Sequence, residues 1–290
     1  MNNLKLLLLA GILLISSAIL AQDPNFQIYL CFGQSNMAGR GEIEEQDKTV
    51  DSRFRMMSTV ENKDRGRTIG KWYAAEPPLC RSQSGLSPAD YFGRNMIKRL
   101  PEKVKVGVIC VAIGGCDIRL FNEDIYENYI SKDGKQWFTD IINDYGGNPY
   151  QRLICLAKLA QKDGVIKGIL LHQGETNTGD EEWPEYVKTV YNNMLKDLSL
   201  KAEDVPLLAG EVANADQNGK CARANIIIDK LHEVVPTAYV ISSKGCTLRD
   251  DFVHFNSAGV REIGQRYAQK MLEVQGYKKL VQKIAPNTIK

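Results

Sequence analysis

A doubly wound α/β fold on a parallel sheet of five strands is what this sequence predicts, on three observations. Past residue 21, apolar strand-like runs alternate with amphipathic helical patterns. The runs are continuous rather than alternating, which suits strands buried on both faces of a parallel sheet. Three of them end in turns at Gly33, Gly114-Gly115 and Gln173-Gly174, beyond the carboxyl ends of the strands, where such folds bind ligands.

The strand-like runs are Phe26–Phe32, Val104–Ile113, Val165–His172, Val205–Val212 and Thr237–Ser242. Ser87-Pro88 predicts a helix start, with Ser as cap and Pro at the first helical position, leading into Ala89–Leu100. Asn148–Lys162, Glu185–Leu200, Lys220–Val235 and Ser257–Val274 follow, each amphipathic enough to cover a sheet face. Alternating β and α elements imply right-handed crossovers. Two stretches, Glu42–Pro78 and Phe121–Gly147, lack periodicity, and only Phe54–Val60 within them reads as a strand. Loops of that length shape binding sites or are mobile.

The chain has 290 residues, 43% of them hydrophobic, enough for one large α/β domain or two small ones. A net charge of +2 gives no clustered basic face and argues against a nucleic-acid partner. Residues 1–21 carry Lys5, the apolar run Leu6–Ile15 and then Ser16, Ser17, Ala18 and Ala21. This is the pattern of a secretory signal cleaved after Ala18 or Ala21, an uncleaved anchor being the alternative. Residues 22–290 are then expected to be a single exported domain, periplasmic or secreted, with no membrane partner once the signal is removed.

Seven cysteines leave at least one free thiol. Cys31, Cys110 and Cys155 read as buried hydrophobes, while Cys80, Cys116, Cys221 and Cys246 are the better disulfide candidates. None shows C-x-x-C spacing, which argues against a zinc or redox site.

The sharpest local feature is Gly33-Gln34-Ser35-Asn36-Met37. A serine on a tight strand-to-helix turn exposes its hydroxyl at the sheet edge, and its own N–H can bind an oxyanion. The alternative is a plain helix cap. A neutral hydroxyl needs a histidine base oriented by a carboxylate. Of three histidines, His232 lies mid-helix, and His172 ends a strand, where it lines the site or packs inside. His254 lies in Asp251-Phe252-Val253-His254, whose spacing lets Asp251 bend back to the imidazole. Glu175 is a second candidate acid. Gly114, Gly115 and Gln173 are candidate oxyanion donors beside the Ser35 N–H. Gly33, Gly39 and Gly41 do not have phosphate-loop spacing. Trp72, Tyr73, Trp137 and Trp183 either stack on sugar rings or pin their loops.

At these residues the sequence resembles the SGNH hydrolase superfamily. Within it, the likeness is to the sialate O-acetylesterase domain and the acetylxylan esterases of carbohydrate esterase family six. The matching stretches are GQSNMAGRG (33–41), WYAAEPPL (72–79), SPADYFGR (87–94), AIGG (112–115), HQGETN (172–177) and DFVHFNSAGVREIGQRYA (251–268). The resemblance implies a flavodoxin-like three-layer α/β/α fold and hydrolysis of acetyl esters on oligo- or polysaccharides, without metal or cofactor. It implies Ser35 as nucleophile, His254 as base, and Gly114 or Gly115 with Gln173 completing the oxyanion hole. The wider superfamily uses Asn in a G-x-N-D block where this chain has Gln173, the pattern of this branch. Asp251 is preferred as the acid and Glu175 of HQGE is the rival. Gln34, Asn36, His172 and Asn177 are the candidate substrate contacts. A carbohydrate-binding protein without turnover, and an esterase for lipids or thioesters, remain the competing readings.

Overall fold

Residues 22–130 and 134–277 are described by the structure, a computed structural model. The expected signal at 1–21 lies outside the described residues. The strands are β1 (Asp23–Gly33), β2 (Phe54–Met57), β3 (Trp72–Ala74), β4 (Lys105–Ala112), β5 (Gly164–His172), β6 (Leu207–Gly210) and β7 (Ala238–Ile241). They form one sheet in the order β3-β2-β4-β1-β5-β6-β7, parallel except for β3, which runs antiparallel to β2. All five expected strands are present, but the sheet has seven. The extra pair sits at one edge, in the stretch expected to be mostly loop. β2 falls within the Phe54–Val60 stretch that reads as a strand, whereas β3 is too short to carry a periodic signal and gains its strand geometry by pairing with β2.

The helices are α1 (Ser35–Ala38), α2 (Glu45–Lys48), α3 (Pro88–Ile97), α4 (Gln136–Asp144), α5 (Pro149–Ala160), α6 (Trp183–Asp197), α7 (Ala224–Ile228), α8 (Leu231–Val234) and α9 (Ser257–Val274). Ser87, Asn148 and Asn256 cap α3, α5 and α9, each side chain accepting from a backbone N–H of the first turn. The helix expected over Lys220–Val235 is instead two short ones, α7 and α8. Its three consecutive isoleucines, Ile226–Ile228, lose rotamer freedom in a helix, so propensity does little to hold a longer one. α4 was not expected, since only Phe138 and Ile142 of its residues are buried.

Helices cover both faces. Tyr29 of β1 meets Phe92 of α3, and Phe32, on the opposite face of the same strand, meets Phe121. α3 and α9 pack together on the first side, and α5 lies against β4, β1 and β5.

β1 is where the winding reverses: the chain builds β2–β4 on one side of it and β5–β7 on the other. Gly33 at its end pairs with Ala112 of β4 and His172 of β5. The turns that follow these strands therefore leave the sheet at one level, and the site is assembled there.

All seven cysteines are unpaired, which corrects the disulfide expectation for Cys80, Cys116, Cys221 and Cys246. Cys80, Cys116 and Cys246 are buried, whereas Cys155, expected inside, is exposed on α5. Among the described residues no helix is long and apolar enough to cross a membrane.

Candidate active site

The turn after β1 is forced by close approach. Gly33 has φ +143°, and a Cβ there would stand 2.1 Å from the carbonyl oxygen of His172. Only glycine fits, so the next residues swing across the end of β5, with the Gln34 N–H donating to His172 O at 2.9 Å. Ser35 becomes the first residue of α1 and is 4% exposed. Its hydroxyl lies 2.8 Å from Nε2 of His254.

His254 comes from the loop between β7 and α9. Phe252, at φ +59°, sits in the left-handed region that a bulky residue rarely adopts, and it bends the loop tightly. Across this bend Asp251 Oδ1 accepts from the N–H groups of Val253 and His254, both at 2.9 Å. Asp251 Oδ2 lies 2.7 Å from Nδ1 of the imidazole. Burial pushes the Asp251 carboxyl up, but the hydrogen bonds from His254 and the backbone outweigh it and hold it at about 2. The carboxylate is thus ionised and grips one ring nitrogen while the other faces Ser35.

Glu175 is elsewhere. It is buried, makes no hydrogen bond to His254, and accepts from Nδ2 of Asn36 at 2.6 Å. Its second oxygen has no partner among the described residues. Burial pushes its carboxyl up to about 7.

The four residues expected to touch substrate are all buried framework instead. Asn36 donates to Val253 O and accepts from Phe255 N, both at 3.1 Å, so it clasps the backbone on either side of His254. Gln34 turns its carbonyl inward, toward the amide of Gln173 and the N–H groups of Gly174 and Thr176. Asn177 accepts from Ile118 N and Gln173 and donates to Asp180. His172 lies fully buried with Nδ1 3.1 Å from the Tyr267 hydroxyl, and burial lowers it to about 3, so its ring is neutral. Gln34 and Asn36 flank Ser35 in a tight turn, where neighbouring side chains point away from the rim.

Gln173 is a further correction. It is fully buried, with its amide N–H groups directed at Gln34, Cys116 O and Asn177 and its oxygen accepting from the Trp183 indole. It buckles the three rim turns together. The free donors are backbone ones. Among the described residues no acceptor meets the N–H of Ser35, Gly114 or Gly115. A Cβ on Gly114 would lie 3.7 Å from Cβ of Ser35, so this turn packs against the serine side chain.

Arg40 carried no expected role, although it lies within the same GQSNMAGRG stretch. Its Nη2 would be 3.3 Å from that Gly114 Cβ, and its carbonyl accepts from Arg249 at 2.8 Å. Burial and the charges of Arg249 and Arg81 lower its proton affinity, with Asp251 opposing. The Arg40 guanidinium thus brings positive charge to the Gly114 turn. Among the described residues no group of three or more His, Cys, Asp or Glu is placed to hold a metal ion.

The sequence profile of the family described as carbohydrate esterase, sialic acid-specific acetylesterase, matches residues 25–273. The chain belongs to this family. The esterase is a carboxylic ester hydrolase acting on carbohydrates. It is 24% identical over 270 residues to a probable carbohydrate esterase of Arabidopsis thaliana, spanning 86% of this chain and 91% of that one. A solved Arabidopsis thaliana structure superposes with a TM-score of 0.65 at 22% identity, covering 87% of the esterase and 99% of its counterpart. NanS superposes with a TM-score of 0.61 at 16% identity, covering 89% and 99%. These likenesses fix the fold.

Proposed function

We propose that the chain removes O-acetyl groups from sugars by a two-step acyl transfer through Ser35, His254 and Asp251. The observation that carries this reading is the unbroken chain of contacts from Ser35 Oγ to His254 Nε2, and from His254 Nδ1 to Asp251 Oδ2. His254 takes the hydroxyl proton as Ser35 attacks the acetyl carbonyl, and Asp251 stabilises the imidazolium that forms. The tetrahedral oxyanion is received by the N–H groups of Ser35 and the Gly114–Gly115 turn, with Arg40 adding positive field. The imidazolium returns its proton to the departing sugar oxygen. Water, activated by the same histidine, then releases acetate and frees Ser35.

Residues 1–21 are proposed to be a signal peptide and residues 22–290 a single exported hydrolase domain. The family membership and the likeness to a probable carbohydrate esterase of Arabidopsis thaliana support a carbohydrate ester as substrate. The test is acetate release from acetylated xylan and from O-acetylated sialic acid by wild type and Ser35→Ala. Turnover should fall by about 10³-fold or more in the variant. Turnover left intact in Ser35→Ala would remove the serine from the mechanism.

A further inference from the structure

Beside the nucleophile turn lies a hollow of about 270 Å³, lined by Gly115, Asp117, Tyr129, Trp137, Phe138 and Thr176. Two of its walls are tied to that turn. Gly115 follows the glycine that packs against Ser35, and the Thr176 N–H points at the Gln34 side chain at 3.4 Å. The third wall is Trp137, from the stretch the sequence left without periodicity. Its ring reaches over Gly115, 3.6 Å from where a Cβ would stand.

Trp137 is half exposed, an unfavourable position for so large an apolar ring. It is not needed to anchor α4, which Phe138 and Ile142 already bury. Phe138 meets the indole edge-on at 5.7 Å, fixing its orientation. A rigid aromatic surface with polar groups at its rim matches a pyranose, whose C–H face is apolar and whose edge carries hydroxyls. The volume lies just below the usual range of ligand pockets, about 300–1,000 Å³, and suits a single ring. A second hollow, lined by Arg40, Glu42, Glu44, Arg249 and Asn256 among others, has no aromatic residue in its wall.

We propose that the Trp137 hollow is the subsite for the sugar ring that carries the acetyl ester, with the indole as its stacking platform. This rests on the esterase reading above. Once the ring is seated there, its ester reaches the Gly114–Gly115 turn and Ser35, and binding energy gained away from the carbonyl is used to orient it.

The test compares kcat/KM for the sugar acetate that wild type turns over fastest, among acetylated xylan and O-acetylated sialic acid, with kcat/KM for ethyl acetate, which has no ring. Trp137→Ala should lower the ratio of the two about tenfold, mainly through KM for the sugar ester, and Trp137→Phe should restore part of it. An unchanged ratio would overturn the subsite. Equal losses on both esters would also overturn it, by showing that Trp137 supports the nucleophile rather than the sugar. Should wild type cleave ethyl acetate but neither sugar ester, the carbohydrate reading and the subsite fall together while the serine mechanism stands.

Discussion

Asn36 joins two residues that never touch: its amide donates to the buried carboxyl of Glu175 at 2.6 Å and clasps the backbone on both sides of His254. Glu175 therefore reaches His254 only through Asn36, whereas Asp251 contacts the imidazole itself. Asp251→Asn should lower kcat by about 10³-fold, because the amide can no longer hold the right tautomer or balance the imidazolium. Glu175→Gln keeps an oxygen for Asn36 and should change kcat by less than about fivefold. Glu175→Ala strips that acceptor and should cost about 1–3 kcal/mol of stability. Steady-state kinetics on one sugar acetate decides it. The larger kcat loss in Glu175→Gln would transfer the acid's role to Glu175.

The raised pKa of Glu175 carries a stability prediction of definite sign. Its carboxyl goes from 4.5, the ordinary value, to about 7 in the folded protein. Between those values the native state holds a proton that the unfolded chain has released, so stability falls as pH rises through this window. Above about 7 both states are ionised and the penalty is fully present. Glu175→Gln has no proton to lose. Thermal unfolding of the two proteins should thus diverge from pH 5 to pH 8, the variant gaining relative to wild type. Parallel curves would mean that Glu175 is not protonated in the fold.

Gly114 offers a test of the proposed oxyanion turn that leaves Ser35, His254 and Asp251 unchanged. Its would-be Cβ meets only the end of the Arg40 side chain and Ser35 Cβ, so Gly114→Ala should fold with near-normal stability. The added methyl stands against Ser35 Cβ and the end of Arg40, at the mouth of the proposed oxyanion turn. An expected fall in kcat of about 10- to 100-fold, with little change in unfolding midpoint, separates this from a packing defect. Gly115→Ala is a poorer probe, because φ +73° strains any side chain there.

The contacts linking Ser35, His254 and Asp251 were legible in the sequence because their signals are local and scarce. Ser35 ends an apolar run at a glycine, and His254 carries its acid three residues away. What the sequence hid was the direction in which neighbouring side chains point. Asn36 and Gln34 flank the serine, yet the turn that presents Ser35 outward turns them inward, where they bond to Glu175, Gln173 and the His254 loop. That is a consequence of tertiary pairing across turns more than 130 residues apart in sequence. β3 was illegible for a related reason: three half-buried residues carry no period, and only β2 beside them makes a strand.

α9, which follows His254 directly, is held to α3 by a glycine contact that predicts a stability loss. A Cβ on Gly264 would lie 2.6 Å from the Pro88 carbonyl oxygen and 2.8 Å from Cβ of Tyr91. Both belong to α3, and the first is backbone, which cannot rotate away. Gly264→Ala gains about 1 kcal/mol in helix propensity. Forcing the helices apart costs about 1–3 kcal/mol, more where backbone must move. The clash should win, giving a net loss of up to about 2 kcal/mol, read as a lower urea midpoint at unchanged m-value. A variant as stable as wild type would show that α3 and α9 can separate without cost, and that the close approach at Gly264 does not hold the two helices together.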